Sequence, residues 1–158
     1  MRRTYRRLME RVRGPVACPE PAVPALRIIS WNLLRLTGAT LEDVAALVRR
    51  HRPDILLMQE ATRDIDALPG QVGGFYARAP LPGRIHGLAV WTPGELAGPP
   101  MVLPLQRGSL VERVCQIVQL EGIGIANVHL SHGQVLNRRQ LRRIARALRH
   151  EDTRADRG

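Results

Sequence analysis

From Leu26 to Asn32 the chain reads Leu-Arg-Ile-Ile-Ser-Trp-Asn, apolar on both alternating faces, and predicts an interior strand covered on two sides and closed by a polar residue. Thr40 precedes Asp43 by three residues, a variant of the capping box, and Leu41, Val44, Ala45, Leu47 and Val48 then recur at helical spacing. The predicted helix carries Arg49, Arg50, His51 and Arg52 in its last turn, where cations suit the dipole, and Pro53 stops it. Asp54 to Glu60 is a second buried strand. A right-handed crossover of this length favours parallel strands, so Asn32 and Glu60 are expected to emerge at one sheet edge, on strands about 4.8 Å apart.

After Gly74 the pattern shortens to strands at Phe75–Ala79, Gly87–Thr92, Met101–Leu105, Glu112–Leu120 and Ile123–Leu130, which should pair mostly as antiparallel ribbons. Glu121-Gly122 reads as a hairpin turn. Val135, Leu136, Leu141, Ile144, Ala145 and Leu148 supply an apolar stripe for a helix over residues 134–149, with the arginines largely outside it. The expected organisation is a basic, proline-rich tether over residues 1–25, one domain over 26–149, and an irregular tail over 150–158.

Composition narrows the class. A chain of 158 residues with 44% hydrophobic content suits one ordinary soluble domain and excludes disorder, collagen and a disulfide scaffold. No apolar run approaches the roughly 18–20 residues of a membrane span, and the arginine-rich start lacks the apolar stretch of a signal peptide, so a cytoplasmic protein is expected. The net charge of +10 divides as +4 over residues 1–25, +1 over 26–133 and +5 over 134–158, so the basicity belongs to two terminal segments. Every cationic residue other than histidine is Arg, which favours bidentate phosphate contacts where a cluster faces a ligand; codon bias would give the same usage.

Three polar groups close apolar strands. Asn32 read alone is a turn residue bonding its own backbone, and Glu60 is a solvated strand end. His129 lies between Val128 and Leu130 on the face of Ile123, Ile125 and Asn127, where a hydrogen-bonded core histidine is as good a reading as a functional one.

Taken in order with their flanks, the segments Ser-Trp-Asn (30–32), Ile-Leu-Leu-Met-Gln-Glu (55–60), His-Gly-Leu-Ala-Val-Trp (86–91), Ala-Asn-Val-His-Leu-Ser-His (126–132) and Asn-Arg-Arg-Gln-Leu (137–141) resemble the endonuclease/exonuclease/phosphatase superfamily, which includes deoxyribonuclease I. The resemblance implies an α+β fold, the deoxyribonuclease I-like α/β sandwich, expected here to be truncated to the first mixed sheet with flanking helices. It implies a phosphoric ester hydrolase dependent on Mg²⁺ or Mn²⁺. Glu60 then corresponds to the metal-binding glutamate, Asn32 to the asparagine that helps position the metal shell and the phosphate, and His129 to the histidine that donates to a phosphate oxygen. Gln59, Gly87, Asn127 and Arg138 fit the pattern as support or packing. The substrate class is a phosphate ester, nucleic acid among the candidates.

The family's Gly-Asp-x-Asn and Ser-Asp-His motifs do not occur in this chain, which leaves out an aspartate for the attacking water and an aspartate-histidine pair near the phosphate. Such groups are worth typically 10²–10⁴-fold and act as a unit, so weak catalysis by this chain alone is expected. An uncovered first sheet would also favour self-association. The alternative is a non-catalytic fragment that binds anionic polymers through its Arg-rich ends.

Overall fold

The computed structural model describes residues 25–34, 37–105, 112–130 and 133–155. Residues 1–24, where the tether is expected, lie outside them. The elements are β1 (Ile28–Asn32), α1 (Leu41–His51), β2 (Ile55–Thr62), a 3-10 turn (Arg63–Ala67), α2 (Leu68–Val72), β3 (Phe75–Pro80), β4 (His86–Thr92), β5 (Met101–Leu105), β6 (Arg113–Leu120), β7 (Ile123–Val128) and α3 (Gln134–Ala155).

The β1–α1–β2 unit forms as its pattern requires. Asp43 N–H donates to the Thr40 hydroxyl at 3.2 Å, and Thr40 N–H returns a bond to the Asp43 carboxylate at 2.9 Å, closing the capping box. At the other end Arg52 turns left-handed, with φ 44°, before Pro53. β1 and β2 run parallel, with Ile28 opposite Ile55 and Asn32 opposite Gln59.

Two sheets result: one of four strands in the order β1-β2-β4-β3, and one of three in the order β5-β6-β7. Every pair except β1–β2 is antiparallel, as the short strands after Gly74 lead one to expect. Alternation along β2 sets the layers. Leu56 and Met58 join Ala89 and Trp91 under Val44, Ala45 and Val48 of α1. Ile55 and Leu57 point the other way and, with Val90, meet Val118 of β6 and Ile125 of β7. Beyond them, Cys115 and Ile117 of β6 pack against Ile144 of α3. The order through the molecule is therefore helix, sheet, sheet, helix.

The α+β class and the sandwich agree with expectation, but the described residues form two sheets rather than the first mixed sheet alone. β5, β6 and β7 supply part of the second sheet and cover the first, because Val114, Val118 and Ile125 present an apolar face to it. β1 is an edge strand rather than an interior one: among the described residues it pairs only with β2, Ile28 is 48% exposed, and Ser30 is exposed. α3 continues to Ala155, beyond the predicted end at residue 149, since no Gly or Pro interrupts the sequence before Gly158. Glu121 and Gly122 both have positive φ, 50° and 77°, as a tight hairpin turn demands.

Candidate active site

The site grows out of a buried polar network between the two sheets. Asn127 on β7 is 2% exposed. Its amide nitrogen donates to the Ala89 carbonyl at 2.9 Å and the Met58 carbonyl at 3.1 Å, while its oxygen accepts from Gln59 Nε2 at 2.8 Å. Gln59 also reaches the Ser30 hydroxyl at 3.2 Å, and Gln116 on β6 donates to the Ala77 carbonyl at 3.0 Å. Two facing carbonyls admit only the donor end of Asn127, so its orientation is fixed and β7 is pinned across β2 and β4.

Just beyond this clamp the ladder breaks. Gln59 pairs with Leu88 and Ala61 with Gly87, leaving Glu60 as the extra residue of a β-bulge with φ 57°, a left-handed conformation uncommon for a side-chain-bearing residue. Gly87 tolerates the partner strand's approach because a Cβ there would lie 2.2 Å from the Ala79 carbonyl oxygen. Its role is packing.

Beyond the end of β7, two residues after the Asn127 clamp, comes His129. Its Nδ1 lies 3.7 Å from Glu60 Oε1, with the side chains 28% and 18% exposed. This is ion-pair range, longer than a hydrogen bond, and both side chains are partly exposed at the surface. Asn32, half-buried, closes β1 opposite Gln59, and Leu33 N–H extends the ladder to the Gln59 carbonyl at 2.9 Å. The Asn32 amide oxygen accepts from Leu34 N–H at 3.0 Å, the local turn bond its residue type favours, and keeps a second lone pair.

Glu60 and His129 thus meet directly, and register places Asn32 beside Glu60's neighbour at the same sheet end. Among the described residues no three His, Cys, Asp or Glu side chains gather into a cage. One carboxylate and one amide oxygen are hard donors, suited to a cation that keeps several waters and takes phosphate oxygens for the rest. In the Gln59–Asn127–Gln116 network, the sequence reading takes Gln59 and Asn127 only as support or packing and misses Gln116. The network's signal was present: three polar side chains on otherwise apolar strands, at inward positions of the alternation.

The profile of the Endonuclease/Exonuclease/phosphatase family matches residues 29–156, spanning β1 through α3. The chain belongs to this family. Solved structures carry the same fold. Truncated TDP2 from Caenorhabditis elegans superposes with a TM-score of 0.60 at 20% identity, over 84% of this chain and 57% of its own. D. rerio TDP2 complexed with a single strand DNA product gives 0.59 at 18% identity, over 78% of this chain and 54% of its own. An endonuclease/exonuclease/phosphatase protein from Beutenbergia cavernae gives 0.54 at 19% identity, over 74% and 42%. The chain spans about half the length of these structures. No curated protein sequence matches it. The family match covers most of the chain's length.

Proposed function

We propose that this endonuclease/exonuclease/phosphatase domain hydrolyses a phosphate ester by in-line attack of water, with Glu60 holding a divalent cation, Mg²⁺ or Mn²⁺. The supporting observation is the 3.7 Å approach of His129 Nδ1 to Glu60 Oε1 at a half-open rim. A bound cation would polarise the phosphoryl oxygen and steady the charge developing on the attacking and leaving oxygens. The other parts belong to side chains. The bulge turns the Glu60 carboxylate out of the ladder, His129 donates to a non-bridging phosphoryl oxygen, and the Asn32 amide helps orient the phosphate beside the carboxylate. Neither Gly-Asp-x-Asn nor Ser-Asp-His is in this chain, so turnover is expected to be slow, by about 10²–10⁴-fold for lost acid–base assistance. Nucleic acid is the substrate class we favour; the D. rerio TDP2 complex with a single strand DNA product and the arginines of α3 support it.

Hydrolysis of a chromogenic phosphodiester with Mg²⁺, with chelator, and with Glu60→Gln tests this. The expected result is metal-stimulated turnover lost in chelator and in Glu60→Gln, and reduced in His129→Ala. Turnover that persists unchanged in both chelator and Glu60→Gln would remove Glu60 from the metal.

A further inference from the structure

α3 presents a second chemistry, away from the rim. One face of the helix is committed: Gln140 and Ile144 are buried, and Ala147 and Leu148 pack with Cys115, Ile117 and Leu105. The opposite face carries Arg138, Arg139, Arg142, Arg143 and Arg146, all exposed, and residues 134–149 contain no acidic side chain. A face kept only for solubility would interleave Glu or Asp at three- and four-residue spacing to pair with these cations. Here Arg138–Arg142, Arg139–Arg143 and Arg142–Arg146 are like-charge pairs four residues apart, which oppose the helix until an anion sits between them. Arg139, Arg142 and Arg146 lie within about 60° of one another around the axis, opposite the buried side. The run from Arg138 to Arg146 is about 12 Å long, the span of three or four phosphates of one strand at about 3.4 Å each.

We propose that this arginine face of α3 is a docking surface for the phosphate backbone of a nucleic-acid strand. Guanidinium forks match phosphate oxygens bidentately, and the exclusive use of Arg supplies five such forks on this face. An anionic membrane is the competing partner for a basic amphipathic helix, but that mode needs a free apolar face to enter the bilayer. The apolar face of α3 is spent on β5, β6 and β7, and the two large apolar residues exposed on the helix, Val135 at 70% and Leu141 at 50%, lie about 120° apart around its axis and make no stripe. α3 begins five residues after His129, so a short stretch of chain links this face to the Glu60–His129 rim. The surface acts through backbone charge and does not depend on a metal at Glu60.

The test uses the full chain in chelator, so that failure of the hydrolytic reading leaves it untouched. Binding of a fluorescent single-stranded oligothymidylate is titrated at several salt concentrations for the wild type and for Arg139→Gln/Arg142→Gln/Arg146→Gln, with Arg2→Gln/Arg3→Gln/Arg6→Gln as the charge-matched control. Three lost contacts should make the slope of log K against log salt shallower by about 2 and weaken binding roughly 100-fold at 0.1 M salt, while the control loses less than about threefold. Gln keeps the helix, so circular dichroism should be unchanged. The proposal is overturned if the α3 variant loses no more than the control, or if phosphatidylserine vesicles displace the oligonucleotide from the wild type and bind more tightly than it does.

Discussion

Removing the Asn127 side chain tests how much of the molecule depends on the cross-sheet network. In Asn127→Ala the bonds at 2.8, 2.9 and 3.1 Å to Gln59, Ala89 and Met58 vanish together, and Gln59 Nε2 loses the better of its two acceptors inside the sandwich. At about 1 kcal/mol for each net bond the loss is roughly 3 kcal/mol, and the space left by the amide adds to it. For a chain of this size each kcal/mol lowers Tm by about 2–4 °C, so Tm should fall by about 6–12 °C. Thermal unfolding followed by circular dichroism, with urea melts to confirm an unchanged m-value, measures it. Asn127→Asp is a sharper version. It turns an acceptor oxygen toward two carbonyls, should be less stable still at neutral pH, and should recover part of the loss below about pH 4, where a protonated carboxyl can donate. A Tm drop under about 2 °C in Asn127→Ala, or an Asp variant indifferent to pH, would refute the claim that this amide holds β7 to β2 and β4.

Glu60→Gly should trade activity for stability: relieving a left-handed Glu at φ 57° is worth about 1 kcal/mol, so Tm should rise by a few degrees in a differential scan while metal-stimulated turnover disappears. Thr40→Ala opens the capping box of α1 and should lower stability by about 1 kcal/mol in urea unfolding. Burial pushes the Cys115 thiol up to about 12, so in a Cys18→Ser background a thiol reagent at pH 8 should label no site in the native protein and one in urea. The same shift has a sign. The stability that Cys115 contributes is complete below about pH 9, where the unfolded thiol still keeps its proton, and is lost as pH rises toward about 12. Denaturant melts of wild type and Cys115→Ala should therefore converge as pH increases from 9 to 11.

The elements most legible in the sequence are those whose signals are local. Thr40, Asp43 and Pro53 bracket α1 through side chains and ring geometry that act within one turn, and the Glu121-Gly122 turn needs only its two residues to bend. Edge status is not local. Ile28 to Asn32 looks buried because hydrophobicity reports the average environment of a strand, while its edge position among the described strands depends on pairings set elsewhere in the chain. The second sheet was misjudged for the same reason: nothing in Met101–Leu105 or Arg113–Leu120 states which sheet those strands join. At the site, strand ends brought Asn32 and Glu60 to one edge, and the contact with His129 follows from the clamp two residues earlier. The bulge itself left no trace, since Glu60 is flanked by Gln59 and Ala61 with no Gly or Pro to announce a left-handed turn.

The side-chain bonds of Asn127, Gln59 and Gln116 together touch β1, β2, β3, β4, β6 and β7, and among the described strands only β5 stands outside them. A wedge driven between the sheets would have to break that web in one event, so amide protons on those six strands should exchange with deuterium as a single cooperative block. β5, carrying Pro104 and paired among the described strands only with β6, should be the first to let solvent deuterons in.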